Sequence, residues 1–353
     1  MGAVRYFSLA RLLPLLGVAC ASRSAPKAQV PSAPVAQHVD DAAGGWLTTL
    51  DVSHPLVGRI WDTAARGFVS STNVLARAAR GRFVLLGEKH DNPDHHRLQA
   101  LVLKGLVDTG ERPRVAFEML EVDRQAAVDG YRKTAGASAS GFGAALGWDA
   151  SGWPPFREYQ PIFEVAFSAR LDIVAANLEH ELARGLVHAG LAALPPERAA
   201  LLDLERPFPP ALDGALREEL GADHCGMLPD NLLEPMALAQ HARDAQMARA
   251  LLDGGETKPG VLVAGGGHVR RDRGVPYYLA LHGANSVVTI DFEEVTANEN
   301  DAARYVRVSP DGAAAVDFVW FTPRASDGDP CAAFTRPKTA KAPERVRERR
   351  EPG

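Results

Sequence analysis

The residues able to do chemistry stand just after short apolar runs. Glu88 and His90 follow Arg82-Phe83-Val84-Leu85-Leu86-Gly87, Glu118 closes Arg114-Val115-Ala116-Phe117, and His268 follows Gly260-Val261-Leu262-Val263-Ala264 and three glycines. Two histidines and two carboxylates can exchange protons. As Glu88, His90 and His268 they can also hold zinc or manganese, with one position left for water. In that chemistry Glu118 or Glu88 is the general base and Arg270 steadies a developing oxyanion. Glu118 lies between Phe117 and Met119, so it should be desolvated, and a buried carboxylate needs a metal, histidine or arginine beside it. His95 and His96 read as surface or rim residues, and Asn177 as a cap or turn residue. Gly265-Gly266-Gly267 lacks the spacing of a nucleotide-binding loop. The run instead lets something approach the backbone closely.

The elements that must position these residues follow from their composition. Short apolar runs with β-branched and aromatic members are buried strands. Asn92 and Pro93 form a helix start, as cap and first helical residue, and Leu98, Leu101, Val102 and Leu106 continue at helical spacing. A second strand begins at Arg114, making a βαβ unit and hence a parallel pair. A helix near 156–169 leads to the strand 171–176, which ends at Asn177. Helices follow at about 179–192, 211–220 and 232–253, then strands at 260–264, 286–290 and 318–321. The fold class is α/β: a mostly parallel sheet flanked by helices, with a helical cap or insertion subdomain at 193–230. Strand carboxyl ends face the ligand crevice in such sheets, so Glu88, His90, Glu118 and His268 should converge there.

Composition bounds the rest. The 353 residues are 46% apolar and 24% charged, enough for one large domain or two smaller ones. No run of roughly 18 apolar residues occurs, which excludes a spanning helix. The net charge of −5 hides a basic tail: residues 336–353 carry seven Lys/Arg and three Glu. The stretch 20–335 is correspondingly acidic, which excludes nucleic acid as a partner. Residues 1–19 read as a signal peptide, with Arg5 and Arg11 before Leu12–Ala19. Cys20 stands where a bacterial lipobox places its acylated cysteine, with Gly17 in place of the usual leucine. Residues 20–45 are then a tether, 46–323 the folded domain, and 324–353 a disordered basic tail. Export as an outer-membrane lipoprotein, or to the periplasm, is the expected localisation. Cys225 and Cys331 either pair in an oxidising compartment or stay as buried thiols.

Several of these segments together resemble the ChaN-type haem-binding uptake proteins of the Tiki superfamily. They are Leu85-Leu86-Gly87-Glu88-Lys89-His90-Asp91-Asn92-Pro93 with His95-His96, Phe117-Glu118-Met119, and Trp153 with Tyr159-Gln160-Pro161. Asn177, Arg243-Asp244 with Met247-Ala248, and Gly267-His268-Val269-Arg270 leading to Gly274-Val275-Pro276 complete the set. The resemblance spans about 80 to 280. It implies a lipoprotein habit, haem binding and a link to iron acquisition. The wider superfamily also holds metal-dependent proteases and erythromycin esterases, which use acids and histidines at these positions. Haem iron takes His, Tyr, Met or Cys as axial ligand. The candidates are Tyr277 and Tyr278 first, then Tyr159, His241, His268 and Met236, with Arg270 for a propionate. Two readings stay open: an exported haem-binding lipoprotein serving haem or iron acquisition, and a metal-dependent hydrolase, esterase or protease. A binding protein that has lost catalysis is a third. The partners to expect are haem, a membrane reached through the lipid anchor, and a second copy of the chain in a homodimer.

Overall fold

The computed structural model describes residues 45–328 and 331. The leader, Cys20, the tether up to residue 44 and most of the basic tail lie outside the described residues. In chain order the elements are β1 (Ile60–Asp62), β2 (Gly67–Val69), α1 (Ser71–Ala78), β3 (Phe83–Glu88), α2 (Pro93–Asp108) and β4 (Arg114–Glu121). Next come α3 (Gln125–Arg132), α4 (Ala139–Ala145), α5 (Phe156–Ser168), β5 (Ile173–Asn177), α6 (His180–Ala189) and α7 (Pro196–Leu201). The chain ends with α8 (Pro210–Asp223), α9 (Asp230–Leu252), β6 (Gly260–Gly265), α10 (Val275–Leu281), β7 (Val287–Glu294) and β8 (Phe318–Thr322).

The strands make one eight-stranded sheet in the order β2-β1-β8-β7-β3-β6-β4-β5. From β8 to β5 every pairing is parallel; β1 pairs antiparallel with both β8 and β2, so β1 alone runs against the rest. The mostly parallel α/β class expected from the sequence is therefore present. One expectation changes. β3 and β4 are parallel but do not pair, because β6 lies between them. β6 is buried along its whole length, and an interior slot is where a strand apolar on both faces belongs.

Side chains alternate between the two faces of the sheet. Val84, Leu86, Val115, Phe117, Val261 and Val263 pack on one face with α2 and α5, around the stacked pair Phe117 and Phe163. Leu85, Ala116, Leu262 and Ala264 pack on the other with α6, α9 and α10. Asn92 does cap α2: its side chain accepts from the Asp94 N–H, and Pro93 opens the helix. The 193–230 stretch is helical, holding α7 and α8. The domain edge expected at 323 is displaced. Arg324 bonds the Leu50 carbonyl and pairs with Asp51, and Cys331 forms a disulfide with Cys225, so the chain stays attached past β8.

Gly87 shows how tightly the crevice end of β3 is packed. A Cβ there would lie 2.5 Å from Val269 Cγ2, 2.8 Å from Asp291 Oδ1 and 3.1 Å from the Gly266 Cα. Gly87→Ala should cost about 1–3 kcal/mol by overpacking. Urea unfolding would register this as a lower midpoint at constant slope.

Candidate functional site: a polar crevice and an aromatic cleft

The carboxyl-terminal parts of β3, β6, β4 and β7 meet at one edge of the sheet, where Glu88, Gly265, Glu118 and Glu293 line a crevice of about 880 Å³. Glu88 and Glu118 are buried there at 4% and 1% exposure. The four residues expected to converge do so. His90 Nδ1 is 2.8 Å from Glu88 Oε1, His90 Nε2 is 3.8 Å from Glu118 Oε2, and His268 Nε2 is 3.3 Å from Glu118 Oε1. Asp244 of α9 continues the chain of alternating acid and base, with Oδ1 2.6 Å from His268 Nδ1.

The partners that a buried Glu118 requires are Arg243 and His268. Arg243 donates to Glu118 Oε1 and to Asn177 Oδ1, while the Gly265 N–H donates to Glu118 Oε2 at 2.7 Å. Burial alone would raise the Glu118 pKa. The charges of His268 and Arg243 outweigh it and hold the carboxyl well below its usual range. For His268 burial works the other way, and the Glu118 and Asp244 carboxylates raise the imidazole to about 9. His90 is raised as well: burial opposes its charge, but the bond to Glu88 and the charge of Glu118 prevail. Burial lifts the Asp244 pKa, with His268 pulling against it. A buried set of charges survives here because each is paired.

His95 and His96 are not rim residues. Both are fully buried, since α2 turns its first-turn side chains inward beneath the crevice. His95 accepts from the Lys89 N–H at Nδ1 and bonds Thr322 through Nε2, and burial lowers its pKa to about 3. His96 stacks on Tyr159 at 3.9 Å, with Nε2 3.4 Å from Glu88 Oε2. Tyr159 is itself fully buried and donates to Glu88 Oε1 at 2.8 Å. That hydroxyl anchors a carboxylate and has no open path to a haem iron. Arg270 lines the crevice but forks onto Asp272 through Nε and one terminal nitrogen. It is thus already engaged, both as an oxyanion donor and as a propionate partner.

The proposed metal donors face one another instead of a common point. Glu88 Oε1 accepts from Tyr159 and faces His90 Nδ1, Glu88 Oε2 faces His96, and His268 Nδ1 is bonded to Asp244. Among the described residues no group of three His, Cys, Asp or Glu side chains is disposed to hold a metal ion. Glu88, His90 and His268 as arranged therefore do not fit zinc or manganese.

A second cavity, of about 460 Å³, lies across α9. Its wall is aromatic: Phe208 is 3.9 Å from the His241 ring and 4.6 Å from Tyr277, and Tyr278 meets Tyr277 edge-on at 5.2 Å. Leu238 and Leu281 add apolar surface, and Arg206 and Asp213 stand among its polar lining. His241 is 5% exposed, and its Nδ1 has no hydrogen-bond partner among the described residues. Met236 is not among the lining residues. Sequence reasoning missed Arg243, Asp244 and the cleft residue Phe208 as parts of these sites. Arg243-Asp244 was legible only as a family segment, and Phe208 sits in a proline-rich stretch without period.

The family model described as "Haem-binding uptake, Tiki superfamily, ChaN" matches residues 74–279, more than half of the chain. The chain belongs to the ChaN family. Among solved structures it is similar to the ChaN of Campylobacter jejuni, described with cofacial haem binding: 21% identity over 74% of this chain and 95% of that one, with a TM-score of 0.58. At that identity the likeness establishes the shared ChaN fold and nothing finer. The type III effector HopBA1 (13% identity, 71% and 91% covered, TM-score 0.38) and an erythromycin esterase in its open conformation (14%, 64% and 72%, 0.35) overlap more loosely. These two carry no argument. No curated protein sequence matches the chain.

The His268 cluster predicts a pH dependence of stability. The imidazole is raised to about 9 in the fold, against about 6.5 unfolded. Its contribution is therefore complete below about pH 6.5 and is lost as pH rises through about 9, with an upper scale of about 3 kcal/mol. Urea unfolding from pH 6 to 10 should show this decline, and His268→Gln should flatten it.

Proposed function

We propose that the chain binds haem in the aromatic cleft, as an exported and lipid-anchored protein serving haem or iron acquisition. The observation that carries this reading is the cleft itself, an aromatic-walled cavity separate from the polar crevice. A macrocycle that is flat and mostly apolar is suited by ring faces such as Phe208, Tyr277 and His241. Tyr277, partly exposed in the cleft, is the first choice of axial ligand, with the buried Tyr278 and His241 behind it. Arg206 lies at the cleft and can take a propionate. Membership of a haem-binding uptake family supports the ligand class. The leader followed by Cys20 supports export, with the anchor made by acylation of that cysteine.

The polar crevice supports a second reading, as a hydrolase. His268 sits between Asp244 and Glu118, the arrangement of a histidine oriented for proton transfer. The donor set does not fit a metal, so this reading rests on acid–base groups alone.

Two experiments test these assignments. Titration with haem should give a defined Soret band that Tyr277→Phe shifts or abolishes and Glu118→Gln leaves in place. A band indifferent to Tyr277, Tyr278 and His241, beside an esterase or peptidase activity lost by about 10²–10⁴-fold in Glu118→Gln, would reverse the order of the readings. Anchoring is checked separately. Cys20→Ser should release the protein from membranes, because stable attachment depends on the acyl chains. Retention after a salt wash would contradict it.

A further inference from the structure

Beyond the acid–base cluster, the crevice has a second wall whose charges do not balance. β7 contributes Asp291 and Glu293, two residues apart and so on one face of the strand. α8 contributes Glu219 and Asp223, one helical turn apart. The chain between β7 and β8 adds Arg307. Asp291 above all, with Glu293, Glu219 and Asp223, raises the Arg307 pKa, so the four carboxylates gather about one guanidinium.

Glu219 has cations of its own: it bonds Arg273 and lies 3.8 Å from Arg270. Three carboxylates then remain for Arg307. Its Nε is 3.7 Å from Asp291 Oδ2 and its Nη2 is 3.4 Å from Glu293 Oε2, both long for charged hydrogen bonds. The Asp223 carboxylate has no hydrogen-bond or ion-pair partner among the described residues. Asp291 is the costliest of the three. Its side chain is 3% exposed, and Oδ1 has no hydrogen-bond partner among the described residues. That oxygen lies against the bare Gly266 of the crevice lining, 2.7 Å from where a Cβ would stand. A buried carboxylate needs a cation or a donor beside it. Arg307 falls short: burial raises Asp291, and burial with the Asp291 charge pushes Glu293 to about 7.

We propose that this wall is a binding subsite for a primary ammonium group on a small organic molecule, held beside the acid–base cluster. Glu293 and Asp223 meet it from the open side, and Asp291 supplies negative charge from beside the Gly266 backbone. An ammonium donates three hydrogen bonds to acceptors spread around it. A metal ion needs donors converging on one point, and no group of three such side chains converges so among the described residues. A side chain at Gly266 would crowd this wall, since its Cβ would also lie 3.4 Å from Arg307 Nη1. The subsite concerns binding and holds whether or not the crevice is catalytic. Joined to the hydrolase reading, and resting on it, the subsite makes the substrate an amine-bearing one.

Isothermal titration calorimetry of the full chain with 1-butylammonium chloride tests this, at fixed ionic strength and at pH 8, above the Glu293 value. Tetramethylammonium and sodium are the controls. 1-Butylammonium should saturate at one site per chain, and tetramethylammonium, which has no N–H donor, should bind at least about tenfold more weakly. Glu293→Gln and Asp223→Asn should each weaken the site by a similar factor. Both residues are at least partly exposed, so the amides keep the fold, and unchanged urea midpoints check this. Equal binding of all three cations would reduce the wall to a diffuse negative field and overturn the subsite. So would unchanged affinity in both variants, or no saturable binding of 1-butylammonium.

Discussion

A carboxylate held ionised inside the sheet sets the terms for the rest of this molecule. Glu118 is almost wholly buried in the carboxyl-terminal half of β4. Leaving it there without partners would cost more than most core substitutions. Its partners come from three places: the Gly265 N–H at the end of β6, Arg243 on α9, and His268 beyond the glycine run. Each demands a neighbour in space. β6 must lie beside β4, α9 must cross that edge, and the chain after β6 must turn back over the crevice. The sheet order with β6 inserted between β3 and β4 satisfies all three together.

The glycines after β6 belong to the same constraint. A Cβ at Gly265 would lie 2.9 Å from His90 Nε2, and one at Gly266 would lie 2.7 Å from Asp291 Oδ1. The bare backbone lets the histidine and two carboxylates approach from three strands. Asp291 shows the tension at this end. Burial raises its pKa, Arg307 opposes the shift with Nε at 3.7 Å from Oδ2, and Oδ1 finds no partner among the described residues.

α9 divides the chemistry. Gln240 and Arg243 line the polar crevice, with Asp244 bonded behind them, whereas Glu234, Leu238 and His241 line the aromatic cleft. These two sets fall on different faces at helical spacing. One helix thus separates a site of paired charges, suited to proton chemistry, from one of ring faces, suited to a flat apolar ligand. Interpreting the family through a single pocket would mix the two.

Much of this was readable in the residues themselves. Apolar runs buried on both sides marked the parallel strands. Polar residues at their carboxyl ends marked the crevice, because a parallel sheet sends those ends to one edge. The need of Glu118 for a cationic neighbour was likewise a matter of elementary electrostatics. Which cation answered it was not, since Arg243 lies 125 residues away on a helix whose rotation only packing sets. The same reason turned His95 and His96 inward, buried Tyr159 against Glu88, and engaged Arg270 with Asp272. Side-chain direction depends on what stands opposite, and long-range contacts decide that. The pairing of Cys225 with Cys331 belongs to this class too: two cysteines in a sequence allow a bond, but only the return of the chain past β8 brings them together.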